Sequence, residues 1–283
     1  MSMQQIAVIG AGTMGNGIAQ VCALAGFEVT LLDISDAALE RGIGTVRKNL
    51  DRQTTKQTIT ADVAASALQR ITCSTDYAQL DGAQLVIEAA TENLDLKLRL
   101  LRQIADHVSA DCVIASNTSS LSITQLAAGV SHPERFIGLH FFNPVPMMGL
   151  IEVIRGLQTT DTTHVAALKL AERLNKTAIT AGNRPGFVVN RILVPMINEA
   201  ILVLQEGLAT AQDIDDGMRL GCNQPIGPLA LADLIGLDTL LAIVEAFHDG
   251  FNDSKYRPAP LLKEMVAAGY LGRKSGRGFF VYN

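Results

Sequence analysis

The chain has 283 residues, of which 48% are hydrophobic and 18% charged, and its formal net charge is −5. At about 100 to 200 residues per domain this length predicts two domains, and the composition excludes a disordered chain. The negative charge argues against nucleic acid or an anionic membrane as the main partner. No apolar run approaches the roughly 20 residues that span a bilayer.

The cysteines are widely spaced and match no metal-binding or CxxC pattern. We expect all four to be reduced, mostly buried and structural: Cys22, Cys73, Cys112 and Cys222. No metal site is predicted. Because the first predicted strand begins at Ile6 and leaves no room for a signal peptide, a cytoplasmic protein is expected.

Residues 6–33 are predicted to form a strand, a glycine turn, a helix and a second strand. The apolar run Ile6–Ile9 indicates a buried strand, and Gly10, Gly12 and Gly15 follow it in GxGxxG spacing. The first glycine permits a tight turn, the second lets the backbone approach a pyrophosphate, and the third lets the helix pack against the strand. The pattern predicts a dinucleotide site, and the alternative is an ordinary tight turn.

The helix after this turn would direct its first amides at the anion. Gly26 ends the helix, the β-rich run Glu28–Leu32 follows, and Asp33 ends that run, where a carboxylate can bind both ribose hydroxyls. An acid there repels a 2′-phosphate and no arginine directly follows it, so the sequence favours NAD over NADP. The turn residues predicted to bind the cofactor are Gly10, Ala11, Gly12, Thr13, Met14 and Gly15.

Two helices are predicted to form a hairpin inserted at about residues 35–70. One begins near Ser35, and the second covers about Thr60–Leu68. Basic residues fall on the face of the first helix that is opposite its apolar stripe, and the pattern alone favours a solvated face for them: Arg41, Lys48, Arg52 and Lys56.

Strands and helices alternate through the rest of the first half of the chain. The predicted elements are strands at Ile71–Ser74, Leu85–Glu88 and Val113–Ala115 and a helix at Leu94–Val108. This order predicts a doubly wound, mostly parallel sheet with ligands at the carboxyl ends of its strands.

Polar residues cluster at these predicted strand ends. Glu92 follows one strand, residues 116–120 follow the next, and His140 ends the run Arg135–Leu139. One residue of Ser119–Ser122 is expected to cap the helix that follows. A turn-rich loop at residues 143–146 then leads to a strand that carries Glu152.

The segment Ala181–Phe187 is the predicted domain boundary, because proline and glycine interrupt it and the alternation of strand and helix ceases beyond it. The expected domains are residues 1–183 and 184–283. The second is predicted to be all helical, with helices at Val188–Gln205, Ala211–Leu220, Leu229–Ile235, Leu237–Phe247 and Leu261–Ala267. The first of these is apolar nearly all round, which suits a helix in a domain core or a subunit interface.

A bound nicotinamide ring needs an alcohol or carbonyl beside it and a group that handles the proton, and histidine is the usual choice near neutral pH. His140 alone among five histidines sits at a predicted strand end. A strand, loop and strand path can bring it beside Glu152, whose carboxylate would fix the ring tautomer and stabilise the imidazolium. From the residues alone, a hydrogen-bonded core histidine is an equal alternative.

Six stretches together resemble the L-3-hydroxyacyl-CoA dehydrogenase family, in particular its short bacterial members that act on 3-hydroxybutyryl-CoA. They are VIGAGTMGNGIA, IEAATENLDLK, SNTSSLSI, HFFNPVPMMGLIEVI, NRPGFVVNRIL and GRKSGRGFFVYN. The resemblance covers essentially the whole chain. It implies a Rossmann domain followed by an all-α domain through which the protein forms a homodimer.

The resemblance also implies roles for individual residues. His140 and Glu152 would form a catalytic dyad, and Ser119 and Asn190 would contact the substrate oxygen and thioester. The residues implied to contact NAD alongside Asp33 are Glu92, Lys97, Asn143 and Lys274. Arg52 and Lys56 fall where the family holds coenzyme A phosphates, and an acidic protein needs such local cations for a multiply charged ligand.

The implied reaction is NAD-dependent interconversion of (S)-3-hydroxyacyl-CoA and 3-oxoacyl-CoA, with short acyl chains preferred. The expected partner is therefore an acyl-CoA, with neither nucleic acid nor a membrane. Two alternatives remain open: an NAD(P)-dependent dehydrogenase of a free hydroxy acid, and a dinucleotide-sensing module without catalysis.

Overall fold

The computed structural model describes residues 3–282. The chain divides into two compact units, and the division falls between Arg184 and Pro185.

Over its described residues, the first unit is built on an eight-stranded sheet. Its strands are β1 (Gln5–Ile9), β2 (Glu28–Leu32), β3 (Ile71–Ser74), β4 (Leu85–Glu88), β5 (Val113–Ser116), β6 (Phe136–Phe141), β7 (Leu150–Arg155) and β8 (Thr177–Gly182). Their order across the sheet is β3-β2-β1-β4-β5-β6-β7-β8. All neighbours pair in parallel except β6 and β7, which are antiparallel. The predicted doubly wound, mostly parallel sheet is confirmed.

In the described part of the first unit, residues 3–184, six α-helices connect or follow these strands. They are α1 (Thr13–Leu24), α2 (Asp36–Thr55), α3 (Ala61–Gln69), α4 (Leu94–Ala105), α5 (Ile123–Ala127) and α6 (Asp161–Arg173). Polar side chains cap most of their first turns by accepting a backbone N–H bond. Ser122, for example, accepts from the amide of Gln125 at the start of α5, which confirms the cap predicted within residues 119–122.

The differences between the predicted and observed elements have local causes. The strand β6 runs through His140 to Phe141, because antiparallel pairing with β7 continues to that point. Neither α6 nor β8 was predicted from the sequence. Strand β8 lies at an edge of the sheet, so it is largely exposed and its sequence TAITAG lacks the apolar run of a central strand. Helix α4 ends at Ala105 rather than at Val108.

The second unit is mainly helical over its described residues, with two isolated antiparallel bridges, Gly272–Arg277 and Arg277–Val281, near its end. Its α-helices are α7 (Val189–Gln205), α8 (Ala211–Asp216), α9 (Pro228–Ile235), α10 (Leu237–Phe251) and α11 (Pro260–Ala267). Its core joins buried residues of α7, such as Ile197 and Ile201, to Leu240 and Phe247 of α10. The chain after α8 forms a π-helical turn at Gly217–Gly221, so the helix predicted to reach Leu220 stops at Asp216. The predicted all-α architecture is confirmed.

The cysteines are free, as expected, but only half of them are buried. Cys22 and Cys112 are buried, and burial raises the pKa of each thiol to about 12. Cys73 and Cys222 are exposed, so the prediction that the cysteines are mostly buried is wrong for these two. Within residues 3–282, no helix is both long and apolar enough to cross a membrane.

Candidate active site

The three glycines of the turn after β1 meet three different requirements. Gly10 has a φ of +100°, and a Cβ there would lie 3.0 Å from the carbonyl oxygen of Ala89. A Cβ on Gly15 would lie 1.7 Å from the carbonyl oxygen of Gly10, so any side chain would push α1 away from the turn. Gly12 has no heavy atom within 4 Å of a Cβ position, so its backbone faces open space. This geometry fits a turn that presents its backbone to a pyrophosphate.

Asp33 follows β2 and bonds back to the same turn. Its Oδ2 accepts a hydrogen bond from the amide of Ala11 at 2.8 Å, and its Oδ1 accepts from the amide of Ser35 at 3.3 Å. The carboxylate is therefore fixed beside the glycine turn, and each oxygen has further acceptor capacity for a ribose hydroxyl. Because α1 begins at Thr13, the first amides of a helix and this carboxylate flank the same turn.

The antiparallel pair β6 and β7 brings together the two residues of the predicted dyad. His140 lies directly opposite Glu152 in the strand register. The Nδ1 atom of His140 is 2.7 Å from Oε2 of Glu152, and the two residues are 6% and 0% exposed. Since a carboxylate only accepts, Nδ1 carries the proton, and Nε2 is then the basic nitrogen of the neutral ring. The arrangement can move one proton while a buried negative charge stabilises the imidazolium.

His140 also lies on the side of the sheet where the parallel strands have their carboxyl ends and where ligands are expected, although its own strand continues past it. Gly138 pairs with Ser116, the last residue of β5, so His140 stands beyond the end of the neighbouring parallel strand. Asn117 follows β5 and its Oδ1 accepts a hydrogen bond from the amide of Phe141 at 2.9 Å. The other four histidines are exposed or partly exposed: His107, His132, His164 and His248.

Glu92 organises the polar segment after β5. Its Oε1 accepts hydrogen bonds from the hydroxyl of Thr118 at 2.8 Å and from that of Ser119 at 3.0 Å. It also accepts from the backbone amide of Ser119. Two predicted site residues, Glu92 and Ser119, are therefore in direct contact, and Glu92 fixes the position of the Ser119 hydroxyl.

Glu88, the last residue of β4, contacts the predicted site residue Lys97 and was not predicted from the sequence to do so. It is fully buried and binds Nζ of Lys97 at 2.8 and 2.9 Å, while the Ser116 hydroxyl donates to it at 2.6 Å. Lys97 is 1% exposed and lies 3.6 Å from Glu92. Lys97 is thus a buried ion-pair partner, and its contact with the cofactor stays a prediction. In the sequence, the acidic residue at the end of the otherwise apolar stretch LVIE is the feature that could have indicated Glu88.

Arg52 and Lys56 share a cavity of about 460 Å³ in the first unit. One wall comes from the helical hairpin and the other from the loop of residues 142–149 between β6 and β7, which we call the β6–β7 loop. The lining residues are Asn49, Arg52, Gln53, Lys56, Thr58, Ile59, Pro144, Pro146 and Met147. Arg41 and Lys48 are exposed on the same helix and do not line the cavity, while Asn143 is exposed at the start of the loop.

Two predicted site residues belong to the second unit. Asn190 lies in the first turn of α7 and is partly buried. The Nζ atom of Lys274 donates a hydrogen bond to Oδ2 of Asp238 at 2.6 Å, and this bond holds the pKa of Asp238 below its ordinary value. The contacts of Asn190 with substrate and of Lys274 with cofactor stay predictions.

A doubly wound sheet whose first βα turn carries GxGxxG, with an acid after β2, defines an NAD-binding Rossmann domain. Residues 5–184 match the family model of the 3-hydroxyacyl-CoA dehydrogenase NAD-binding domain, and residues 186–282 match that of the 3-hydroxyacyl-CoA dehydrogenase C-terminal domain. The chain belongs to the 3-hydroxyacyl-CoA dehydrogenase family, and it is an NAD-dependent oxidoreductase.

Relatives cover the chain from end to end. The crystal structure of (S)-3-hydroxybutyryl-CoA dehydrogenase from Ralstonia eutropha is 60% identical and superposes with a TM-score of 0.98, covering 100% of both chains. The 3-hydroxybutyryl-CoA dehydrogenase of Bradyrhizobium diazoefficiens is 48% identical over 99% of this chain and 96% of its own. A probable 3-hydroxybutyryl-CoA dehydrogenase of Bacillus subtilis is 49% identical over 100% of this chain and 98% of its own.

Proposed function

We propose that the chain interconverts (S)-3-hydroxyacyl-CoA and 3-oxoacyl-CoA with NAD, that it prefers 3-hydroxybutyryl-CoA and acetoacetyl-CoA, and that His140 and Glu152 act as its catalytic dyad. The names of the full-length relatives support the substrate. The observation that carries the mechanism is the 2.7 Å contact between the imidazole and a carboxylate that is fully buried.

The residues at the glycine turn fit an NAD molecule. The turn of residues 10–15 would hold the pyrophosphate and Asp33 the ribose hydroxyls, while Glu92, Lys97, Asn143 and Lys274 keep their predicted contacts with the cofactor. NAD, when bound, supplies the acceptor for the hydride that leaves C3 of the hydroxyacyl group. All other functions in the reaction fall to side chains of the chain.

His140 handles the proton of the reaction. In oxidation, Nε2 accepts the proton of the C3 hydroxyl group, and in reduction the imidazolium returns it to the carbonyl oxygen. Ser119 is proposed to contact the same oxygen, and its bond to Glu92 supports a fixed hydroxyl there. Asn190 keeps its predicted contact with the substrate.

Glu152 acts through His140 and is a positioning residue. Its carboxylate accepts from Nδ1, which fixes the tautomer in which Nε2 is basic. Its negative charge also stabilises the imidazolium formed after proton transfer. The pairing of β6 and β7 supports this role, because both side chains come from directly opposite positions of one hydrogen-bonded ladder.

Arg52 and Lys56 are proposed to hold coenzyme A phosphates at the cavity they line. Two cations at one cavity suit a multiply charged anion. A dehydrogenase of a free hydroxy acid, the main alternative, would have no use for this pair. A homodimer formed through the second unit also stays a prediction, and the exposure of Ile192, Leu208 and Leu220 in that unit supports it.

Steady-state assays with NADH test the substrate. We expect turnover of acetoacetyl-CoA and little turnover of free acetoacetate. Arg52→Ala and Lys56→Ala are expected to raise the KM for acetoacetyl-CoA by up to about one to two powers of ten each, because charge-assisted bonds to phosphate are lost. The KM for NADH should stay nearly constant.

Arg41→Ala and Lys48→Ala are the matched controls, since both residues lie on the same helix outside the cavity. Exposed phosphate contacts are screened by salt, so the wild-type KM for acetoacetyl-CoA should rise with ionic strength more than that of the variants. Unchanged KM values in both cavity variants would remove the coenzyme A assignment. Equal turnover of free acetoacetate would favour the alternative function.

A further inference from the structure

A lysine outside the dyad and the glycine turn holds the β6–β7 loop. Lys176 lies between α6 and β8, and its Nζ donates hydrogen bonds to the carbonyl oxygens of Val145 at 2.8 Å and of Met148 at 2.6 Å. These two carbonyls bracket Pro146 and Met147, which form part of the loop wall of the cavity that Arg52 and Lys56 line. One ammonium group therefore fixes both ends of that wall segment.

Other contacts fix the same loop to the Rossmann core. Val145 is 2% exposed and packs against Gly17 of α1, where a Cβ would lie 2.9 Å from the Cβ of Val145. The amide of Thr177, the first residue of β8, donates to the carbonyl of Gly149 at 2.7 Å. The loop is thus held from the helix of the glycine turn on one side and from the start of β8 on the other.

The partly buried position of Lys176 disfavours the charged form of its side chain. Burial lowers the pKa of its ammonium below the ordinary 10.5. The neighbouring Cys22 thiol has a pKa raised to about 12, so near neutral pH it carries no charge that could offset this cost. The loop carbonyls instead provide the ammonium with two hydrogen-bond acceptors.

We propose that Lys176 is a positioning residue for acyl-CoA binding, which holds the Pro146–Met147 wall at the distance from Arg52 and Lys56 that seats the nucleotide end of the substrate. This inference rests on the coenzyme A assignment of the cavity made above. It adds Lys176, which is distant from Arg52 and Lys56 in the sequence, to the residues that determine substrate affinity.

The dyad does not depend on this lysine. Four residue pairs of the β6–β7 ladder, from Gly138–Ile154 to Phe141–Ile151, hold His140 opposite Glu152. The Pro146–Met147 segment that Lys176 brackets lies beyond the last of these pairs, so its displacement leaves the ladder intact. Loss of the Lys176 bonds therefore changes substrate affinity and leaves the chemical step nearly unchanged.

The test is Lys176→Met, which keeps an unbranched apolar side chain and removes both donors. We expect the KM for acetoacetyl-CoA to rise about tenfold, while kcat and the KM for NADH change little. Lys176→Arg, which retains positive donors, should restore part of the affinity. Lys169→Met is the control, because Lys169 is an exposed lysine of α6 and does not line this cavity.

An unchanged KM for acetoacetyl-CoA in Lys176→Met overturns the inference, and so does an equal rise in the KM values for both substrates, which indicates general loosening. If Lys176→Met does not fold, Lys176→Gln retains one neutral donor and should show the same selective rise, and its absence overturns the inference. If Arg52→Ala and Lys56→Ala raise this KM and Lys176→Met does not, the inference alone fails. If none of the three raises it, the cavity assignment fails and the inference falls with it.

Discussion

Buried carboxylates in the two units have different partners. In the first unit Glu88 and Glu152 are fully buried, and in the second Asp215 and Asp233 are 4% and 0% exposed. Glu88 and Glu152 bind ionisable side chains, Lys97 and His140. The aspartates accept mainly from backbone amides.

The two aspartates of the second unit fix chain segments. Asp215 accepts from the amides of Leu229 and Ala230 at 2.8 Å each and so caps the start of α9. Asp233 accepts from the amides of Phe279 and Phe280 at 2.9 and 3.0 Å and from the hydroxyl of Tyr282 at 2.9 Å. The last described residues of the chain are therefore held by one carboxylate.

This difference distinguishes a carboxylate whose partner can take part in a reaction from a carboxylate that only holds the fold together. A buried carboxylate needs hydrogen-bond or charge partners, and either kind of partner satisfies it. A backbone amide never changes its protonation state, whereas an imidazole does so near neutral pH. Replacing each carboxylate by its isosteric amide therefore tests whether the charge serves the reaction or the fold.

The largest expected effect is the loss of kcat in variants of the dyad residues. His140→Gln should lower kcat on the order of 10²- to 10⁴-fold, the usual contribution of a positioned acid or base. Glu152→Gln should lower it less, by about 10- to 10²-fold, because the amide still accepts from Nδ1 but no longer stabilises the imidazolium. Steady-state kinetics across pH, with NADH titration by fluorescence, measure both effects.

The control for these variants is His107→Gln, a substitution of an exposed histidine. NADH affinity should be nearly unchanged in all three proteins. Near-normal kcat in folded His140→Gln would contradict its role as the acid and base. An unaltered pH–rate profile in Glu152→Gln would contradict the positioning role of the carboxylate.

A smaller effect on turnover and a larger one on stability are expected for Asp233→Asn. The side-chain NH2 group of asparagine would be a donor that faces other donors, the amides of Phe279 and Phe280 and the hydroxyl of Tyr282. We therefore expect the free energy of unfolding to fall by about 2 to 4 kcal/mol. Thermal and urea unfolding measure the loss. A drop in kcat as large as that of Glu152→Gln, without loss of stability, would contradict the contrast between the units.

The smallest expected effect is a change in how the free energy of unfolding depends on pH, and it involves Asp215. Burial raises the pKa of Asp215 above 3.8, although the amides of Leu229 and Ala230 oppose this shift. The folded state therefore binds the proton more tightly than the unfolded state, so the stability gained from protonation is present at low pH and is lost as pH rises through the raised folded pKa.

Asp215→Asn cannot titrate at this position. The difference in unfolding free energy, wild type minus variant, is therefore expected to decrease as pH rises from about 4 towards neutrality, since the shifts of other groups cancel. Urea unfolding across this range measures it. A difference that increases with pH would show that the two amide bonds outweigh burial.

Local sequence determined the parts of the molecule that depend on neighbouring residues. The glycine turn followed from the steric needs of Gly10 and Gly15, and strands β2, β3 and β4 have the bounds predicted from the sequence. Strand β8 was not recognised, because its sequence TAITAG contains no continuous apolar run. The family, the doubly wound sheet and the all-α second unit were likewise recognisable from the sequence.

Apart from the pair His140 and Glu152, only the tertiary structure decided which side chains meet. The pairing of Glu88 with Lys97, the contact of Glu92 with Ser119 and the cavity shared by Arg52 and Met147 join residues from different elements. Lys176 meets the carbonyl of Val145 from 31 positions away. Periodicity and turn chemistry report a residue's immediate neighbours, whereas these contacts arise from strand order and register, which are set when the whole sheet packs.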